Sequence, residues 1–218
     1  MKKITAEIAD NYVRYGIKSK NFTRKKCFSF VTIFIVLGAF AILLYNKIPM
    51  ICVASACIAL DVVVSLICYL KWSATSLLVL QAAHLLAFAV ITDAIYFAMY
   101  QAAGLFVLQD FIVAMSLQAA FVLPISAFTV FHAATFKETF NEKKSSALYK
   151  ICGVVGGTAY AVTSVLCKIF LTDVSASVVL SILSVLMNIL VYLLIFVIVN
   201  VIYRIYLLKK FNLSFDVQ

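Results

Sequence analysis

Charge is what this sequence has least of. Only 12% of its 218 residues are Asp, Glu, Lys or Arg, against roughly a quarter in ordinary soluble domains. A water-facing shell cannot be built from so few, because 65% of the chain is hydrophobic and its mean hydropathy is +1.10. A soluble fold is excluded. The strict in-out alternation of barrel strands is missing as well, which leaves helices as the way to cross a bilayer. Histidine occurs only at His84 and His132, too few for a histidine-rich metal site. The chain has no H-E-x-x-H, no P-loop, no G-x-S-x-G and no G-x-G-x-x-G, so neither an enzyme nor a cofactor is expected. Its six cysteines (27, 52, 57, 68, 152 and 167) make no C-x-x-C pair and lie in or beside apolar runs. They read as small hydrophobes, with neither a disulfide framework nor a zinc site signalled. No A-x-A-like site follows the first apolar run, and the basic leader before it is too long for a signal peptide. The first span is therefore expected to be retained.

What remains is an all-α, polytopic membrane protein of about six transmembrane helices. Residues 1–27 form a basic leader in which Ile4, Ile8, Tyr12 and Tyr15 recur at helical spacing, predicting a short interfacial helix. A membrane domain follows over 28–208, and 209–218 is a short tail. Within the domain the predicted spans are 28–45, 49–70, 74–100, 105–136, 147–171 and 174–208. Pro49 suits the opening of the second, Trp72 the interfacial level, and Pro124 is expected to kink the fourth. The fourth and sixth exceed the roughly 20 residues that a crossing needs, so they tilt or project.

The net charge of +9 is spread in short segments between apolar runs, which argues against nucleic acid. Sixteen Lys and Arg fall on the leader's side of the alternating spans, and only Lys47 and Lys168 on the other. The bias predicts both termini on the cytoplasmic side. Lys2, Lys3, Arg24, Lys25 and Lys26 are then placed to attract anionic lipid headgroups. The sequons at Asn21 and Asn212 fall on that side too, so neither is expected to carry a glycan. Cys27, beside Lys25 and Lys26, is a weak palmitoylation signal.

Polar side chains inside the spans are costly and need partners. Asp61 lies about ten residues before the turn at Lys71 and Trp72, and Gln81 and His84 about as far past it. At 1.5 Å per residue, an antiparallel hairpin brings Asp61 within about one helical turn in depth of both. Such a pair is either a protonatable step in a proton or cation path or an interhelical bond that pins the hairpin. No second helix contributes matched ion ligands, which favours the pin. Asp93 and Asp110 flank a break at Gln101, Ala102, Ala103 and Gly104, and are expected near the non-cytoplasmic boundary, solvated or forming an acidic mouth. Gly153 and Gly157 make a small-xxx-small pattern for close helix packing, within the chain or in a homo-oligomer.

The fourth span closes in His132, Ala133, Ala134, Thr135 and Phe136, followed by Lys137. This resembles the transmembrane protein 33 family (Krüppel-homologue 2 in flies, with pore-membrane relatives in yeast), whose members close a similar apolar helix with His-Ala-Ala-Thr or Ser and an aromatic residue. Upstream, Thr92, Asp93, Ala94, Ile95, Tyr96 and Phe97 look like the family's acidic-then-aromatic stretch, with Thr92 replacing an acidic residue. The resemblance covers residues 28–145. It implies a non-enzymatic protein of the endoplasmic reticulum and nuclear envelope that organises membrane. The partners it implies are reticulon-like and nuclear-pore membrane proteins. His132 would then cap or dock the adjoining chain. The rival expectation is a small secondary transporter or channel using Asp61 and His84, against which there is no inverted repeat and no pair of matched broken helices.

Overall fold

The computed structural model describes residues 4–15, 24, 28, 31–44, 47–104, 107–136 and 176–214. Every regular element among them is helical: α1 (Ala6–Arg14), α2 (Val31–Leu44), α3 (Ile48–Leu70), α4 (Ala74–Ala102), α5 (Leu108–Ala134) and α6 (Ala176–Lys210). Four segments are long and apolar enough to cross a membrane, namely Ile48–Leu70, Ala74–Gln101, Leu108–Ala134 and Val185–Lys210. The predicted first span is described as a helix of 14 residues. At about 21 Å it is shorter than the roughly 30 Å hydrocarbon layer. The predicted fifth span, with Gly153 and Gly157, lies outside the described residues, as do Lys2, Lys3, Lys25 and Lys26.

Local chemistry sets the helix ends. Thr5 caps α1 by accepting from the Ile8 N–H, with Glu7 in the first turn and Arg14 in the last, as the helix dipole favours. Lys47 is extended and Pro49 sits in the first turn of α3, where its missing N–H costs nothing. The Ser73 hydroxyl accepts from the Ser76 N–H to start α4. After α4, Gly104 takes φ +68°, a left-handed conformation that suits glycine. Asn212 does the same after α6 at φ +50°, and the Leu213 N–H closes back on the Leu208 carbonyl at 3.0 Å. The α5 helix runs through Pro124 without ending there.

Apolar side chains face outward over much of these helices; Val62, Val63, Leu66 and Ile67 of α3 are all exposed. That surface suits lipid and not water. Inside, α4 is central: it packs against α6, α3 and α2, while α5 packs on α6. The α2–α3 pair is close at Gly38, where an added Cβ would lie 3.1 Å from the Ile58 Cδ1. One core cluster joins Met50 of α3 to Ala87, Ile91, Ile95 and Ala98 of α4. A second joins α1, the start of α4, and the ends of α5 and α6 through Tyr12, Leu77, Ala133 and Leu207.

That second cluster fixes directions. The C-terminal ends of α5 and α6 meet in it, so these neighbouring helices run parallel. It also gathers charge. Arg14, Arg24, Lys71, Arg204, Lys209 and Lys210 lie at this end, and among the described residues Lys47 alone is at the other.

Candidate functional site

The apolar face of α1 does not lie open. Ala9, Tyr12 and Val13 are buried, at 0%, 1% and 0% exposure, against α5 and α6. The Tyr12 ring meets the edges of His132 at 5.8 Å, Phe136 at 5.3 Å and Tyr203 at 6.4 Å, all near-perpendicular contacts that aromatic quadrupoles favour. Its hydroxyl accepts from the Asn200 Nδ2 at 2.7 Å, and the Arg204 guanidinium stands 5.4 Å from its ring centre. Burial pushes the Tyr12 phenol above its ordinary value, while Arg204 and the Asn200 hydrogen bond pull the other way. At the helix edge, Arg14 bonds Asp10 at 2.9 Å and the Ser214 carbonyl at 3.1 Å, tying α1 to the chain beyond α6.

The five-residue segment closing α5 builds this seat. Ala133 is fully buried and Ala134 nearly so, small enough for α1 to approach closely. His132 stacks on Phe128 at 5.9 Å and touches both Tyr12 and Phe136. The Thr135 hydroxyl donates to the Phe131 carbonyl at 2.9 Å, beside the bond that the same carbonyl takes from the Thr135 N–H at 3.0 Å. Phe136 packs against Tyr15 as well. Nearby, Arg24 donates to the Tyr69 carbonyl and lies 4.5 Å over the Tyr69 ring. A residue expected to face lipid thus also caps the α3 C-terminus.

A second constellation is in the α3–α4 hairpin. Asp61 Oδ1 lies 3.2 Å from His84 Nε2, with Asp61 fully buried and His84 at 9% exposure. The spacing is within ion-pair range but outside hydrogen-bond geometry. The expected pairing is present. Gln81 is half-buried on the same helix and makes no hydrogen bond to Asp61. Ser65, one turn beyond Asp61 on the same face of α3, is fully buried with its hydroxyl unpartnered.

A third constellation lies at Asp93. Its Oδ1 accepts from the Gln118 Nε2 at 3.1 Å, and Gln118 also reaches Asn188 Oδ1 at 3.5 Å. This contact ties α4, α5 and α6 together. Asp110 is exposed in the first turn of α5, where a carboxylate complements the dipole. Thr92, beside Asp93, turns its hydroxyl back to the Phe88 carbonyl at 2.8 Å. The sequence reading missed Gln118, Asn188, Asn200 and Ser65, although the rule that singled out Asp61 applies to every polar residue within a span.

Compared with protein-family models, curated proteins and solved structures, the chain matches none. Among the described residues no three His, Cys, Asp or Glu side chains are grouped as metal ligands. Cys68 donates to the Ser76 carbonyl at 3.3 Å within the α3–α4 turn, while Cys52 is exposed.

Proposed function

We propose that this is a non-enzymatic membrane-organising protein of the endoplasmic reticulum and nuclear envelope. It crosses the bilayer six times, keeps both termini in the cytoplasm and binds reticulon-like or nuclear-pore membrane proteins. The observation that carries the reading is the seat of α1: the segment that resembles the transmembrane protein 33 family, His132 to Phe136, is the part that docks α1, completing a cap at the end where Arg204, Lys209 and Lys210 gather. A cap of this kind presents cations to anionic headgroups over a short distance, where each Lys or Arg contributes about 1 kcal/mol.

Two features support six crossings. The α5 helix ends at the basic end and α6, parallel to it, begins at the opposite one, which supports a further crossing between them. Phe28 packs on Tyr69 with ring centres 6.0 Å apart, and α2 ends just before Ile48 opens α3. Phe28 thus lies beside the end of α3, and α2 ends near its start. The charge asymmetry of the described residues agrees in sign with a cytoplasmic basic end.

An N-terminally tagged copy, expressed in a eukaryotic cell and scored against tubule and nuclear-rim markers, tests the assignment. Enrichment on those membranes with co-purification of reticulon-like proteins is the expected result. Residence of folded protein at the plasma membrane or a vacuole contradicts it.

A further inference from the structure

We propose that two copies of this chain pair in the membrane through the groove between α5 and α6, each seating its α6 in the groove of the other. Such pairing is independent of the scaffold reading above and of which side the basic end faces.

Side-chain contacts between α5 and α6 shape the groove. Gln118 reaches Asn188 at 3.5 Å, and one turn on the Phe121 and Tyr192 rings meet edge to face at 4.7 Å. Towards the basic end Phe128 and Phe196 follow, with ring centres 6.2 Å apart. Beside these contacts lies a groove of about 620 Å³, lined by Leu117, Ala120 and Pro124 of α5 and by Ile189, Tyr192 and Leu193 of α6, among others.

An apolar wall by itself calls for nothing more than lipid tails. Two polar groups in this one call for more. Pro124 has no N–H, so the Ala120 carbonyl one turn before it lacks its usual helical donor. Ser126 does not supply one, since its hydroxyl donates to the Val122 carbonyl at 2.7 Å. Tyr192 lines the same groove, and among the described residues its hydroxyl makes no hydrogen bond. An acyl chain offers neither donor nor acceptor, and unmet polar groups in hydrocarbon are costly. The fitting occupant brings both a donor and an acceptor to this depth.

A second copy does so. Copies inserted in one orientation pair about a two-fold axis along the membrane normal, so equal depths face each other. Tyr192 touches Phe121, the neighbour of Ala120 in sequence, which puts donor and acceptor at one depth. Across the axis each Tyr192 hydroxyl then donates to the partner's Ala120 carbonyl, and symmetry forms the bond twice. The apolar face beside them matches. Ile182, Val185, Ile189, Tyr192 and Phe196 recur at alternate steps of three and four, the seam of helices that cross at about 20°. Ile182, Val185, Ile189 and Phe196 are exposed, whereas Val191, Leu194 and Val201, on the opposite side of α6, are buried. The partner's α6 thus meets both walls of the groove, and α5 and α6 of the two copies close into a four-helix bundle.

The test uses the full chain in liposomes, labelled with donor or acceptor fluorophores, with energy transfer followed as added lipid dilutes the protein. The wild type is expected to pair. Tyr192→Phe keeps the ring and should weaken pairing about threefold for each lost bond, roughly eightfold for the two. Pairing that Tyr192→Phe leaves unchanged overturns the proposal. So does a chain that stays single at every dilution, its groove covered by lipid or by residues 147–171. Contact is read separately by oxidising single cysteines in a cysteine-free background, which links Cα atoms within about 7 Å. Ile189→Cys is expected to give a disulfide-linked dimer, and Val63→Cys, exposed on α3, none. A dimer linked through Val63→Cys and not through Ile189→Cys overturns the proposal.

Discussion

Tyr12 is the residue on which the basic end turns. Its partners are 188 positions away at Asn200 and at the far end of α5, so sequence spacing revealed its helical face and not its role as a hub. Tyr12→Phe keeps the ring and removes the hydroxyl, and is expected to weaken α1 docking by about 1 kcal/mol. Tyr12→Ala also empties a packed site, and should cost about 3–5 kcal/mol, enough to release α1. Amide hydrogen exchange of residues in α1 measures both; equal protection in the two variants would count against the seat. The pH dependence has a definite sign. The folded-state value of the phenol is raised by burial, so docking holds in full below the unfolded value of about 10. It is lost as pH climbs through the higher folded value. Phenolate absorbance recorded alongside exchange should show Tyr12 ionising as α1 undocks.

Helix pairs are held by two different devices, small-residue contact and buried amide bonds. At Gly38 an added methyl meets the tip of the Ile58 side chain at 3.1 Å, a group able to rotate aside. Gly38→Ala should thus be close to neutral, its crowding set against about 1 kcal/mol of helix propensity. Gly38→Leu overfills the contact and is expected to destabilise by about 1–3 kcal/mol, read by denaturation in mixed micelles. Gln118→Leu takes the donor from Asp93 and should cost about 1 kcal/mol; Gln118→Glu should cost more, since it sets two carboxyls face to face. The long apolar helices were legible because hydropathy alone marks a span. The partner of Asp93 was not, because placing it at a helix boundary considered depth along α4 but not which neighbour it faced. The depth match of Asp61 and His84 was readable, since a three-residue turn fixes the register of the hairpin. Gln81 shared that depth but makes no hydrogen bond to Asp61, which depth alone does not decide.

At the scale of the whole molecule, the described Lys and Arg side chains gather at one end of a bundle of apolar helices, with Lys47 alone at the other. The sequence made this asymmetry readable through alternate loops. The parallel run of α5 and α6 was not separately legible, since it depends on which ends meet in the core. Orientation is tested most directly by labelling single cysteines, in a cysteine-free background, with a membrane-impermeant maleimide on sealed microsomes. The account predicts that Ser73→Cys in the α3–α4 turn and Ser214→Cys beyond α6 react together from the cytoplasmic side, and that Lys47→Cys reacts only after permeabilisation. Labelling of Ser73→Cys and Ser214→Cys from opposite sides would contradict it.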